Sequence, residues 1–330
     1  MYMKSSALAL IIYLISTTGC TKDYNLNLGS PKTVYAIDGR ISTMRGPYFV
    51  QITKSSNSLG RQGSFPTGLI DTTYAVKGAL VVISDDMGVT DTLVPPPDYV
   101  DEYTYSYQNG KLDSTFESVS YGLYSYSQGY YQTTKIHGIA GHTYHLLIRI
   151  GTEEFHSTAY LPPVAALDSV ALKDTIVDPD GSRGKLPLTY FKEPQNEKNY
   201  YMLQFMHDIR EYPYDVTTGS FRYEQLILPY YTVDDKILSP YVNGLAVREI
   251  ITSQYKYSRG LDYQFPPGMP IQVLLSSLTR DAYEYFTVIA NQFEDDGSVY
   301  KPVPASAPGN ISGGALGLFW ATDVSYKLVD

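Results

Sequence analysis

Cysteine is almost absent from this chain: 330 residues carry one, Cys20. No intramolecular disulfide can form, so the fold has to hold by burying a core, which a chain of this length can do. Long apolar runs are missing too. Beyond the first two dozen residues nothing reaches the roughly 18 consecutive apolar residues that read as a membrane-spanning helix. Basic clusters are few and the formal net charge is −9. That argues against nucleic acid as a partner, because neutralising phosphates takes lysine and arginine. Nucleophile and phosphate signatures are lacking as well: there is no G-x-S-x-G elbow, no P-loop and no H-E-x-x-H pair. Gly313-Gly314-Ala315-Leu316-Gly317 is glycine-rich but opens no helix, and reads as a tight turn before the last strand. The chain therefore reads as a non-enzyme with no cofactor.

Metal-ligand spacing is equally thin. His137, His142, His145 and His156 are close in sequence, but His142 and His145 lie three apart in a predicted strand and so face opposite ways. Asp85-Asp86, Glu153-Glu154 and Asp295-Asp296 sit at turns. Asp178-Pro179-Asp180-Gly181 is the nearest approach to a calcium loop, without the full ligand spacing. No metal site is expected. A hydrolase whose carboxylates are brought together only in space stays open as an alternative, with no pair selected.

What the chain has in plenty is tyrosine, 33 residues, beside 20 prolines. Tyrosine suits half-buried strands and proline stops helices, so the composition is mainly β. Short alternating strands separated by glycine turns run from residue 34. They include TVYAIDGRIS, with Val34, Ala36 and Ile41 as its inward set and Gly39 as a bulge, then Tyr48–Thr53, then Ala79, Val81 and Ile83 before an Asp85–Gly88 turn. Tyr144, Leu146, Ile148 and Ile150 alternate, turn at Gly151-Thr152, and return as Phe155–Leu161. This spacing indicates an N-terminal β-sandwich over 34–165, closed by Pro162-Pro163. A second β-rich domain, 166–330, follows. Its expected strands are Leu186–Phe191, Asn199–His207, Phe221–Thr232, Ile271–Ser276 and, more weakly, Arg248–Ser258. It carries one amphipathic helix near 279–295, where Ala282, Tyr285, Phe286, Ile289 and Phe293 form one stripe and Thr279 is the N-cap.

Within the sandwich, residues 99–131 read as a Tyr-rich insertion, because the strand ending near Val94 should lead directly to the one at Tyr130. Tyr103, Tyr105 and Tyr107 alternate with small polar residues, Asn109-Gly110 signals a hairpin turn, and Tyr121, Tyr124 and Tyr126 follow. These six tyrosines are the candidate ligand or partner contacts, since tyrosine-rich loops offer rigid amphipathic contact area. Cross-strand packing within a flap would use them equally well.

The start of the chain is laid out as a secretory signal over 1–19: Lys4, an apolar stretch from Ala7 to Ile15, then small residues up to Gly19. Cys20 at this junction resembles the lipobox of bacterial lipoproteins, with Thr17 where that motif usually has a leucine. The resemblance implies acylation of Cys20, cleavage before it, and a lipidated tether over 20–33. Cys20-Thr21-Lys22-Asp23 resembles the surface-export signal of some Bacteroidetes lipoproteins. Asp-Ser/Thr tripeptides, as at Asp91-Thr92-Leu93 and Asp168-Ser169-Val170, resemble an O-glycosylation sequence of the same phylum.

Asp38-Gly39, Gly78-Ala79, Asp86-x-Gly88, Gly129-Tyr130-Tyr131 and Gly141-x-x-Tyr144-x-Leu146 resemble a carboxypeptidase-regulatory-like or immunoglobulin-like sandwich. With the lipobox, and with Ala282-Tyr283-Glu284-Tyr285, Gly309-Asn310-Ile311 and Gly317-x-Phe319, the chain resembles the DUF4249 lipoproteins of Bacteroidetes. That resemblance implies an outer-membrane lipoprotein, held to the membrane by its lipid anchor, with a TonB-dependent receptor as the candidate partner. A non-catalytic accessory or ligand-binding role is the expectation. A surface adhesin or glycan-binding module using the tyrosine insertion is the alternative.

Overall fold

The computed structural model describes residues 33–44, 46–55, 74–97, 99–108, 111–120, 126–176, 183–195, 197–206, 214–215, 220–221, 230–246, 271–293 and 307–329. Cys20, Tyr121, Tyr124, Asn109-Gly110, the Asp178–Gly181 loop, Asp295-Asp296 and the weak strand at 248–258 lie outside them. The protein is mainly β, with one α-helix among the described residues.

The first nine strands are β1 (Tyr35–Ser42), β2 (Phe49–Lys54), β3 (Leu80–Asp85), β4 (Thr90–Thr92), β5 (Tyr99–Gln108), β6 (Lys111–Ser120), β7 (Tyr130–Gln132), β8 (Thr143–Ile150) and β9 (Glu153–Tyr160). Next come β10 (Leu167–Ile176), β11 (Arg183–Lys192), β12 (Tyr200–Met206), the short pair β13 (Tyr214–Asp215) and β14 (Ser220–Phe221), β15 (Tyr230–Asp234), β16 (Tyr241–Ala246) and β17 (Ile271–Leu278). Helix α1 (Arg280–Phe293), β18 (Phe319–Thr322) and β19 (Val324–Val329) complete the order.

Two four-stranded sheets, β18-β1-β2-β7 and β4-β3-β8-β9, close on one core. The β8–β9 hairpin follows its sequence pattern: Tyr144, Leu146 and Ile148 are buried on β8, and Phe155 and Ala159 on β9. Each large apolar side chain buried this way contributes about 1.5–3 kcal/mol. Strand β1 departs from expectation. Its inward set is Ile37, Gly39 and Ile41 rather than Val34 and Ala36; Arg40 and Ser42 are buried as well, so only the C-terminal end of the strand is covered on both faces, while Asp38 stays exposed. Gly39 makes no bulge. It pairs in register with both Val50 and Phe319, and a Cβ there would sit 3.1 Å from each of their side chains.

Below the core, Asp91 fastens the loop before β8. Its fully buried carboxylate accepts from Thr134 N (2.7 Å), Thr134 Oγ1 (2.6 Å), Lys135 N (2.8 Å) and Ile136 N (3.0 Å). Burial opposes its ionisation, but these hydrogen bonds outweigh that and hold its pKa below the usual carboxylate value. In the Asp91-Thr92-Leu93 tripeptide the aspartate therefore ties the fold together.

The second sandwich packs β10-β11-β16 against β15-β12-β17-β19. Leu167, Phe191, Tyr201, Leu203, Val242, Val273 and Leu275 fill it. Strand β16 carries no clear period in sequence. Gly244 adopts φ +81° there, and the β11–β16 register shifts between Thr189 and Tyr190, which breaks the alternation. The outer face of the larger sheet receives α1. Ala282 and Phe286 pack on Met202, Tyr230 and Leu278, and Tyr230 Oη donates to the Phe286 carbonyl at 2.8 Å. Thr279 caps the helix as its position in the sequence suggests, its Oγ1 accepting from Ala282 N at 3.3 Å. Tyr283, Tyr285 and Ala290 extend the packed stripe.

The chain passes from one core to the other at 162–167, where Val164 N donates to Asp323 Oδ2 (2.9 Å) and Leu167 N to Ser325 Oγ (2.9 Å). After the helix it returns: β18 joins the first sheet, parallel to β1, with Gly39 opposite Phe319 and Ile41 opposite Ala321. Phe319 and Ala321 enter the first core, while Leu318 and Trp320 face the helix. The backbones come together tightly just before β18. Gly317 has φ +103°, and a Cβ on it would lie 1.9 Å from the Ile37 carbonyl oxygen. Asn310 covers the other side of β18, its Nδ2 donating to Phe319 O (2.7 Å) and its Oδ1 accepting from Phe319 N (2.9 Å).

Two stability measurements follow. Asp91→Ala should lose on the order of 3 kcal/mol in urea unfolding at pH 7, since it leaves buried N–H groups unpaired. A depressed folded pKa stabilises above the unfolded value near about 3.9 and ceases to do so as pH falls through the folded pKa. The gap between wild type and variant should therefore narrow below about pH 4. Gly317→Ala combines positive φ with a backbone clash and should cost on the order of 3 kcal/mol or more; near-wild-type melting would contradict the close approach.

Candidate functional site

The predicted tyrosine contacts fall on one excursion of the chain. Val94 and Gln132 exchange backbone hydrogen bonds at 3.0 and 2.8 Å, which brings the two ends of the excursion together. Strands β5 and β6 pair along their whole ten-residue lengths. The register sets Tyr103 opposite Phe116, Tyr105 opposite Ser114 and Tyr107 opposite Leu112. Tyr126 lies apart from this hairpin, in a one-turn 3-10 helix, Tyr126–Gln128, at the foot. It is half-buried, its Oη accepts from Gly78 N at 2.6 Å, and its ring meets Tyr131 edge-on at 5.5 Å.

The histidines have separate local partners. His142 Nδ1 lies 2.9 Å from Asp86 Oδ1, His156 Nε2 lies 2.7 Å from Glu154 Oε1, and His145 Nδ1 lies 3.1 Å from Thr158 Oγ1. Among the described residues no group of three or more His, Cys, Asp or Glu side chains is placed to hold a metal ion.

A site that sequence reasoning passed over lies on the outer face of the first sheet. Period-2 alternation puts Ala36, Asp38 and Arg40 of β1 on that face, with Gln51 directly opposite Asp38 and Thr53 opposite Ala36 on β2. Leu316 bridges to Ala36 from the third side. Between them opens a cavity of about 380 Å³, lined by Ala36, Gln51, Thr53, Tyr74, Gln128 and Leu316 among others. Gln51 is held in place by donating from Nε2 to the Gln128 carbonyl at 3.1 Å.

Further along the same face the charged and aromatic groups meet. Arg40 is buried and lies 4.7 Å from the centre of the Trp320 ring, which packs edge-on against Phe286 of α1 at 4.8 Å. Phe49 meets Tyr130 edge-on at 6.2 Å. Water reaches the Asp38 side chain, yet surrounding protein crowds it, and this desolvation pushes its carboxyl up to about 6 against the pull of Arg40 and the Gly39 N–H. Tyr130 is pushed up to about 12, by burial first and then by the Asp38 charge; Tyr285 of α1 is raised by the same two causes. The arrangement offers a hydrogen-bond acceptor of adjustable charge beside aromatic rings and a ligand-sized cavity. The signal in sequence was the alternation Ala36-x-Asp38-x-Arg40, which puts a charged row on one face of a strand.

The described residues form two β-sandwiches and one α-helix, with a cavity on the outer face of the first sheet. A family model, "Domain of unknown function (DUF4249)", matches residues 21–327, and the chain belongs to that family. No curated protein and no solved structure matches it. Two of the motifs that carried the resemblance have a structural role: a Cβ on Gly309 would sit 2.0 Å from the Gly317 carbonyl oxygen, so Gly309-Asn310 and Gly317-x-Phe319 form the seat of β18.

Raising an acid's folded pKa makes the folded state hold its proton more tightly, so stability falls as pH rises from about 3.9 to about 6 and is level above. Asp38→Asn should remove that slope and melt higher than wild type above pH 6. Equal melting temperatures at pH 5 and pH 7.5 in both proteins would contradict the crowded setting of Asp38.

Proposed function

We propose that the protein is an outer-membrane lipoprotein, anchored through lipid on Cys20, whose folded part is a non-catalytic binding module working beside a TonB-dependent receptor. The observation that carries this is the single cysteine at the end of the Lys4–Gly19 signal pattern. Residues 21–32, TKDYNLNLGSPK, are mostly polar or small, the composition of a tether. One acyl chain anchors marginally while two or more hold stably, as bacterial lipoproteins require. Membership of the DUF4249 family over residues 21–327 is consistent with this reading, the matched stretch beginning one residue after Cys20. Two four-stranded sheets closed on one core support an immunoglobulin-like type for the first sandwich.

Cys20→Ser should leave the outer-membrane fraction or accumulate uncut, read by fractionation and by mass of the N-terminal peptide. Wild-type fractionation of that variant would end the lipoprotein reading. Detergent extraction under conditions that preserve complexes should bring down a barrel partner with the wild-type chain.

A further inference from the structure

We propose that the cavity on the outer face of the first sheet is a saccharide site, taking a neutral hydroxyl-rich ring of one or two sugar units. The inference rests on the reading of the protein as a binding module and names the ligand class of one site on it.

The cavity, about 380 Å³, falls within the roughly 300–1,000 Å³ of small-molecule sites. It is also tied together by backbone. Ala36 bridges to Leu316 in parallel and Thr53 to Ala75 antiparallel, so four chain segments meet around it. Leu316, 54 % exposed, and Ala36 provide an apolar floor suited to the C–H face of a sugar ring. Tyr74 adds an aromatic wall. The polar lining is two amides, Gln51 and Gln128, two hydroxyls, Thr53 and Ser55, and Lys54 at the rim. Gln51 is already oriented by its bond to the Gln128 carbonyl, so little ordering is needed on binding. Asp38, two residues along β1 from Ala36 and opposite Gln51, extends the face with an accessible carboxylate able to accept hydroxyl hydrogen bonds.

The charges argue against other ligand classes. Lys54 lines the rim of the cavity, and its register partner is Tyr35, so its Cβ leaves the strand on the opposite face from Gln51 and Thr53. A fatty chain would cover the apolar floor but leave the Gln51, Gln128 and Thr53 side chains without hydrogen-bond partners from the ligand. A cation would have Asp38 alone as counter-charge, with Arg40 beside it on the same strand.

The test uses the full-length chain in a detergent without a sugar headgroup, titrated with glucose, galactose, maltose and cellobiose by calorimetry or saturation-transfer NMR. Binding of at least one of them is expected. Gln51→Leu should weaken it tenfold or more, and Ala36→Phe, which fills the cavity, should abolish it. Circular dichroism and melting report whether each variant is folded, and either one suffices. Wild-type affinity should fall as pH drops through about 6, where Asp38 takes up a proton, and Asp38→Asn should lack that dependence. The charged and titratable groups around Asp38 are Arg40 on β1, Tyr130 on β7 and Tyr285 on α1, and neither tyrosine titrates in that range. Absence of binding to all four sugars overturns the proposal, as does binding unchanged in both folded cavity variants. Tighter binding of betaine, phosphate or oleate than of any sugar overturns the ligand class. Retained co-purification with a barrel partner in the absence of sugar binding removes this site alone, whereas loss of both removes the binding-module reading beneath it.

Discussion

The parallel pairing of β18 with β1 is the contact on which the rest of the molecule depends. Four residues, Phe319 to Thr322, are buried on both faces, so one short strand contributes to two cores at once. Phe319 belongs to the first sandwich, while Trp320 lies against the helix of the second half. Hydrophobic burial scales with area removed from water, and a strand covered on both sides removes the most area per residue. The arrangement demands close backbone approach. Three bonds, Ile37 N to Leu316 O (2.9 Å), Leu316 N to Tyr35 O (2.8 Å) and Gly39 N to Leu318 O (3.0 Å), run where Gly317 leaves no space for a side chain.

With no disulfide available among the described strands, buried hydroxyls and carboxylates fasten the loops. Tyr48 Oη sits 2.6 Å from both the Ser42 and Met44 carbonyls. Tyr131 Oη accepts from Ala79 N and donates to Val76 O, each at 3.0 Å. Tyr144 Oη accepts from Ile139 N at 2.7 Å and donates to His137 O at 2.9 Å. In each case the ring fills the first core while the hydroxyl reaches loop backbone, a combination that phenylalanine cannot supply. Much of the chain's tyrosine content near the first sandwich has this structural use. Asp323 does the same work at the junction, accepting from Thr43 Oγ1 (2.8 Å) and Val164 N (2.9 Å).

The face that carries the cavity is a consequence of the same pairing. Adding β18 beside β1 carries Leu316 to the edge of the cavity and Trp320 under Arg40, and α1 then brings Tyr285 near Asp38. On this face Leu316, Tyr74 and Gln128 stand around Ala36 and Thr53 and leave the cavity between them. A carboxylate on such a face is reached by water yet crowded by protein, which is the condition that moves Asp38 upward.

By itself the sequence determined the fold class, the β8–β9 hairpin and helix α1 with its Thr279 cap. Each rests on local periodicity, turn residues or capping, which act between neighbours in the chain. The tertiary structure alone decided that Phe319 returns to Gly39, that Asp91 ties the loop at 134–136, and that Asp38 shares a face with Gln51, Leu316 and Trp320. These contacts join residues far apart in the chain, and their selection depends on which sheet edge is left unpaired and which backbone can approach it. Alternation reports how a strand is exposed and is silent about its neighbour; β18, covered on both faces, loses even that signal.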